Sequence, residues 1–215
     1  MDKVNPELKK YIERSILPEY EKNGPSNDLA HAQRSIERSM KFAATVPDIN
    51  YDIVYTVAAY HDIANHIDRE KHEMIAAEMA EKDDMLKKFF SADEIETIKE
   101  AIEDHRASKE DEPRSIYGKI ISTADRNITV ETCLARTYSY GKKHYPNYTD
   151  EQQFERAYEH LQDKYGENGY AKFYFADEEY ENFLKEIRAL LADKNAFIEA
   201  QRKYIAKQKA AGVEF

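Results

Sequence analysis

Apolar residues recur every three or four positions along most of this chain, the spacing that places them on one face of an α-helix. The clearest case runs over about 51–64, where Val54, Val57 and Ala58 share a stripe. His61 continues that stripe, so the pattern predicts a helix whose buried face ends in an imidazole.

The same spacing predicts further helices, and most of them start at a capping residue. Ser91 and Glu94 form a capping box ahead of a stripe that ends at His105. The other predicted helices start at Asn5–Pro6, at Asn27 or Asp28 (ending near Ala44), near Lys71, at Arg114 and at Thr149, and the last one covers about 177–207. With only 6 Gly and 6 Pro, the chain is predicted to form one all-α domain over residues 1–215.

Five ionisable residues occupy inward-facing positions of these predicted helices: His61, Asp62, His72, His105 and Asp125. A single histidine on an apolar face is more often a hydrogen-bonded core residue than a ligand, and Asp62 alone would fit a solvated helix end. Three histidines and two aspartates are harder to explain in that way, because a buried carboxylate is costly unless its charge is compensated. A bound cation accepts both imidazole nitrogen and carboxylate oxygen, so the pattern favours a metal site.

Two further residues bear on this hypothesis. His31 lies at the margin of the second predicted helix, where a metal ligand and a surface histidine look alike. Cys133 is the only cysteine, which excludes an internal disulfide and a thiolate metal cluster. Any metal is therefore expected to be held by nitrogen and oxygen ligands.

The formal charge of −10 argues against a nucleic acid polymer or an anionic membrane surface as a partner. No window approaches the ~20 apolar residues that a membrane helix needs, and the first residues lack the apolar core of a signal peptide. We therefore expect a soluble, cytoplasmic protein. A small anionic substrate would need a local source of positive charge.

One basic and aromatic stretch, 136–146, differs from this acidic background. Arg136, Lys142 and Lys143 could bind the phosphates of a substrate there, while neighbouring tyrosines stack on a base or sugar. A solvated surface turn is the alternative interpretation. The tyrosine-rich C-terminal third could also supply the interface of a homo-oligomer.

The order of His31, His61-Asp62 and Asp125, each on its own predicted helix, resembles the HD-domain superfamily of metal-dependent phosphohydrolases. The resemblance spans about residues 27–130, through the stretches DLAHAQRSI, VAAYHDIAN, KHEMIAAEMAE, AIEDHRA and IISTADRN. It implies an HD-domain-like helical bundle with additional C-terminal helices over about 131–215. It also implies that these four residues coordinate one divalent transition metal, for which Mn, Fe, Ni, Co or Zn is suitable.

His72 and His105 are similar in position to two further histidines of some branches of the superfamily. There they hold a second metal, with the aspartate of the HD pair bridging the two ions. The competing interpretation is that both histidines bind substrate phosphate over a single metal. Branches that hydrolyse nucleoside monophosphates or alarmones place an acid shortly after the HD pair, whereas here the next acid is Asp68. Those activities are therefore not expected.

The resemblance and the residue chemistry together predict a phosphohydrolase that attacks a phosphoester of a nucleotide or another small phosphorylated metabolite with metal-activated water. His61 and Asp62 would belong to the catalytic centre, and Arg106, Lys119 and Arg126 are candidates to clamp the phosphate. Each of these cations could instead be a surface or salt-bridge residue. An HD-type di-iron oxygenase and a non-catalytic metal- or ligand-binding module are the alternative functions.

Overall fold

The computed structural model describes residues 3–23, 27–126, 128–213 and 215. Within these residues the backbone forms ten α-helices and no strand, which confirms the predicted all-α class. The described residues of Met1–Arg126 and Lys172–Phe175 form one compact unit, and those of Asn127–Ala171 and Ala176–Phe215 form a second. That residues 1–215 make up one domain stays a prediction.

The first unit contains six of the helices, joined by short connections. They are α1 (Pro6–Tyr11), α2 (Leu29–Ala43), α3 (Tyr51–Tyr60), α4 (His72–Lys82), α5 (Ala92–Glu103) and α6 (Ile116–Ala124). A π-helical turn at Ile12–Ile16 and 3-10 turns at Leu17–Lys22 and Leu86–Lys88 complete the unit.

The second unit contains the other four helices. They are α7 (Val130–His144), α8 (Asp150–Tyr165), α9 (Glu178–Leu191) and α10 (Lys194–Ala210). Among the helices that the structure describes, none is both long and apolar enough to cross a bilayer.

Capping residues start several helices as predicted. The Asn5 side chain accepts hydrogen bonds from the first turn of α1, with Pro6 at the first helical position. Asp28 rather than Asn27 caps α2. Ser91 and Glu94 form the reciprocal capping box of α5. Local chemistry therefore sets these helix starts.

Two predictions about helix extent were wrong. α3 ends at Tyr60 and not near residue 64, because the following residues form tight turns such as Ile63 N to Tyr60 O at 3.1 Å. The predicted helix over 177–207 is two helices, since the Asp193 side chain accepts from the backbone at the start of α10. The sequence leaves the stretch 136–146 open between a binding patch and a surface turn, and in the structure its residues up to His144 belong to α7.

α3 is the central helix of the first unit. Every residue from Ile53 to Tyr60 is buried, and α2, α5 and α6 all pack against it. α4 packs mainly on α5, and α6 also contacts α2 and α5. A helix buried on all sides presents no polar face, so polar chemistry enters at its C-terminal end, where the chain leaves the apolar core.

The capping box of α5 is a testable contribution to stability. Ser91→Ala removes the oxygen that accepts from Glu94 N at 3.4 Å and leaves the first turn uncapped. We expect the free energy of unfolding to fall by about 1 kcal/mol, measured as a lower midpoint in urea with an unchanged slope. The control is Ser108→Ala, at an exposed serine outside the helices. Equal midpoints for the two variants would contradict the capping role.

Candidate metal centre

Three helices of the first unit bring four predicted ligands together. His31 lies in the first turn of α2, His61 and Asp62 follow the end of α3, and Asp125 follows the end of α6. Each offers one nitrogen or carboxylate oxygen, and these atoms all lie within 4.8 Å of one another. The first three residues are buried, and 20% of the Asp125 side chain is exposed.

His31 Nε2 has close neighbours on all members of this group. It lies 3.2 Å from His61 Nε2, 3.3 Å from Asp62 Oδ2 and 3.1 Å from Asp125 Oδ1. His61 Nε2 lies 3.7 Å from Asp62 Oδ2 and 3.8 Å from Asp125 Oδ1. Ligand atoms about 2.0–2.2 Å from a tetrahedral ion stand about 3.4 Å apart, so the spacing suits one metal ion.

A second group adjoins the first and shares Asp62 with it. Asp62 Oδ1 lies 3.0 Å from His72 Nε2 and 3.4 Å from His105 Nε2. The two imidazole nitrogens are 3.2 Å apart, and both histidines are buried. The two oxygens of one carboxylate therefore contact different pairs of histidines.

Backbone carbonyls orient three of the four histidines. In each case Nδ1 lies within hydrogen-bond distance of the carbonyl oxygen three residues earlier. The pairs are His61 with Ala58 at 2.8 Å, His72 with Arg69 at 2.8 Å and His105 with Ile102 at 2.7 Å. Because a carbonyl oxygen only accepts, Nδ1 carries the proton and the neutral ring presents the lone pair of Nε2 to the cluster.

Side chains from the segment before α2 support Asp62. Asn27 Nδ2 donates to its Oδ2, and Asn23 Nδ2 donates to its backbone carbonyl at 3.0 Å. The Tyr20 hydroxyl accepts from Asp62 N at 3.3 Å and donates to Ala59 O at 3.0 Å. These supporting roles could not be predicted from the sequence, because no local pattern links residues about 40 positions apart in the chain.

The electrostatics of the cluster favour a cation. Burial raises the pKa of Asp62, but the surrounding histidines, His61 first, outweigh it and hold that pKa well below its usual range. Burial also opposes ionisation of Asp125, and its contacts with His31 and His61 likewise hold its pKa low. Burial lowers the pKa of His31, but Asp125 and Asp62 reverse this and raise it to about 9.

The donor set therefore fits a divalent metal. Asp125 Oδ1 is buried and has no well-formed hydrogen bond to any residue that the structure describes, although it points at His31 Nε2. A buried oxygen of this kind is costly unless a cation or donor satisfies it. Imidazole nitrogens with carboxylate oxygens suit Mn, Fe, Co, Ni and Zn alike, so the cluster can hold a metal ion of this class.

The three cations predicted to clamp a phosphate have different surroundings. Arg106 Nη1 pairs with Glu73 Oε1 at 3.1 Å. Lys119 Nζ pairs with Glu112 Oε2 at 3.1 Å. Arg126 is 6% exposed and forms no ion pair within the part of the chain that the structure describes. Of the three, Arg126 has its charge least compensated.

The three cations predicted from the stretch 136–146 lie on α7, in the second unit. Lys142 Nζ approaches Asp150 Oδ1 at 3.5 Å, Arg136 is half-buried and Lys143 is exposed. Their role in binding a substrate stays a prediction.

Two comparisons with known proteins find similarities, and a third, with curated proteins, finds no match. The family model of the HD domain matches residues 29–127. A crystal structure of a predicted HD superfamily hydrolase from an uncultured Thermotogales bacterium superposes with a TM-score of 0.50 at 19% identity. The alignment covers 93% of this chain and 98% of that one, which shows a common fold.

The match to the HD-domain model covers all six residues of the candidate metal centre. The matched segment starts at the first residue of α2 and ends two residues after Asp125. All of it except residue 127 belongs to the first unit. Residues 29–127 therefore match the HD-domain superfamily, which confirms the predicted resemblance.

Proposed function

We propose that this chain is an HD-type metal-dependent phosphohydrolase that cleaves a phosphoester of a nucleotide or another small phosphorylated metabolite. The observation that carries the proposal is the position of Asp62, whose Oδ2 approaches His31 and whose Oδ1 approaches His72 and His105. A carboxylate between two groups of imidazoles suits one or two divalent ions. The Thermotogales protein is described as a predicted hydrolase, which agrees with this reaction class.

The chain's own residues would hold the ion and orient its ligands. His31, His61, Asp62 and Asp125 would hold the first ion, and His72 and His105 would hold either a second ion or the substrate phosphate. When bound, a divalent ion polarises a phosphoryl oxygen and lowers the pKa of water from ~16 towards ~7. The Nδ1 hydrogen bonds keep the imidazoles oriented, and the buried position strengthens every charge interaction of the cluster.

The uncompensated charge of Arg126 is a further argument that the substrate is an anion. It follows Asp125 directly, so its backbone is one residue from a proposed ligand, and its guanidinium has no acidic partner among the described residues. In a chain of net charge −10, such a cation supplies local attraction for phosphate.

The second histidine pair also supports a different reaction. Two irons held by six residues with a shared carboxylate would suit dioxygen chemistry, so a di-iron oxygenase is the second candidate function. Two irons per chain together with oxygen consumption on an alcohol or phosphonate would favour it over the phosphohydrolase. A single ion with hydrolysis of phosphate esters would exclude it.

Asp62 gives the most direct test of the proposal. Asp62→Asn keeps the shape of the side chain but removes the charge that both histidine groups contact. We expect most of the metal to be lost and hydrolysis across a panel of phosphate esters to fall by more than about 100-fold, since removing even a residue that only hydrogen-bonds to a metal ligand costs about 10–100-fold. Elemental analysis of protein purified without added metal and initial rates provide the two measurements.

The matched control is Asp84→Asn, at an aspartate whose side chain is 91% exposed. It removes the same charge away from the cluster and should leave metal content and rates unchanged. Full activity in the folded Asp62→Asn protein would end the phosphohydrolase proposal.

His72→Ala separates one metal ion from two. Its Nε2 contacts Asp62 Oδ1 and His105, and none of the contacts within the first group involves it. We expect the metal content to fall from two ions per chain to one, because the second group loses one of its two imidazoles. If the metal content stays at one ion while KM rises, the histidine pair binds substrate phosphate instead.

A further inference from the structure

A pocket in the first unit is lined by residues that neighbour two of the proposed metal ligands along the chain. Its walls come from the turn after α5, the end of α6 and the segment Lys172–Phe175. The lining residues include four cations, Arg106, Lys109, Arg126 and Lys172, and two acids, Asp104 and Asp111. Positive charge is therefore in excess in this pocket, although the whole chain is acidic.

Two residues of the pocket lining directly follow proposed metal ligands in the sequence. Arg106 directly follows His105, and Arg126 directly follows Asp125. Consecutive Cα atoms lie about 3.8 Å apart, so two walls of the pocket are one residue from the cluster. A phosphate in the pocket would therefore lie against residues that adjoin two of the proposed metal ligands in the chain.

Arg126 is the buried cation of the pocket. Only 6% of it is exposed, and the one hydrogen bond of its guanidinium to a described residue runs from Nη2 to Ser122 Oγ at 2.7 Å. Its Nε is buried and has no hydrogen-bond partner in the described parts of the chain. A guanidinium that is buried without an acid or a full set of acceptors is costly. An anionic ligand would supply both the charge and the acceptors.

The acids of the pocket do not offset this charge fully. Asp104 is fully buried and accepts Arg114 Nε at 3.2 and 3.1 Å, and Lys109 Nζ approaches it at 3.4 Å. Its charge is therefore shared between Arg114 and Lys109. Asp111 is the other acid in the lining, and its single charge stands against those of Arg126 and Lys172. Lys172 Nζ donates a hydrogen bond to the backbone carbonyl of Glu110 at 3.4 Å.

We propose that this pocket is an anion-binding subsite that holds a second phosphoryl group of the substrate, the one that is not attacked. The inference rests on the proposed function and narrows it to metabolites that carry two phosphoryl groups, either linked or on separate carbons. One phosphoryl group would meet the buried guanidinium of Arg126 in the pocket, while the rest of the molecule extends to the metal centre.

Binding of inorganic phosphate to metal-free protein tests the subsite without catalysis. Isothermal titration calorimetry in the presence of a chelator should show phosphate binding to the wild type. In Arg126→Gln the affinity should fall about tenfold or more, the effect of losing a charge-assisted hydrogen bond. Arg14→Gln removes the same charge at an exposed site and is the matched control. Equal affinity in wild type and Arg126→Gln would overturn the subsite.

Lys172→Gln tests the pocket independently of any folding defect in Arg126→Gln. Lys172 is exposed and reaches the pocket from a separate segment, so its replacement should leave the fold intact and still weaken phosphate binding. Unchanged phosphate affinity in the folded Lys172→Gln protein would count against the pocket even if Arg126→Gln did not fold.

Phosphate binding and ester hydrolysis, measured on the same proteins, distinguish failure of the subsite from failure of the proposed function. If phosphate binding depends on Arg126 but no phosphate ester is hydrolysed, the anion site stands and the proposed function falls. In an active protein, kcat/KM for a nucleoside diphosphate relative to p-nitrophenyl phosphate should fall about tenfold in Arg126→Gln.

Discussion

The charge of two carboxylates inside a helical core is the constraint on which the first unit depends. Asp62 is 2% exposed and Asp125 lies across His31 from it, so water screens neither charge well. The high pKa of His31 and the low pKa values of both acids are two consequences of this one interaction. Four imidazoles converge on these acids, and the resulting cluster requires positive charge at its centre.

The position of the cluster follows from the way α3 is buried. Because this helix is apolar on every side, it contributes ligands only where it ends, and its last turn supplies the Ala58 carbonyl that orients His61. The tight turn that follows brings the Asp62 carboxylate between the two histidine groups. Precise placement of the ligands is thus a result of core packing and of backbone hydrogen bonds.

Helical periodicity predicted most of the all-α fold and the approach of His61, Asp62, His105 and Asp125 to one region, because a polar residue on an apolar stripe is visible locally. The break at Asp193 was missed, since the apolar spacing continues through it and only the cap reveals it. The contacts of Tyr20, Asn23 and Asn27 with Asp62 could not be predicted for another reason. These contacts join distant segments, and a single sequence carries no signal of such pairs.

At the end of α6 the proposed cation site and the proposed anion site of this acidic protein meet in the chain. Asp125 and Arg126 are adjacent but turn to different surroundings, the first towards the histidines and the second towards the basic pocket. Ion pairs such as that of Asp104 with Arg114 neutralise the pocket wall and leave Arg126 as its uncompensated buried charge. Low-dielectric walls focus the field of such a charge. One helix end therefore places opposite charges where a metal and an anionic substrate would meet.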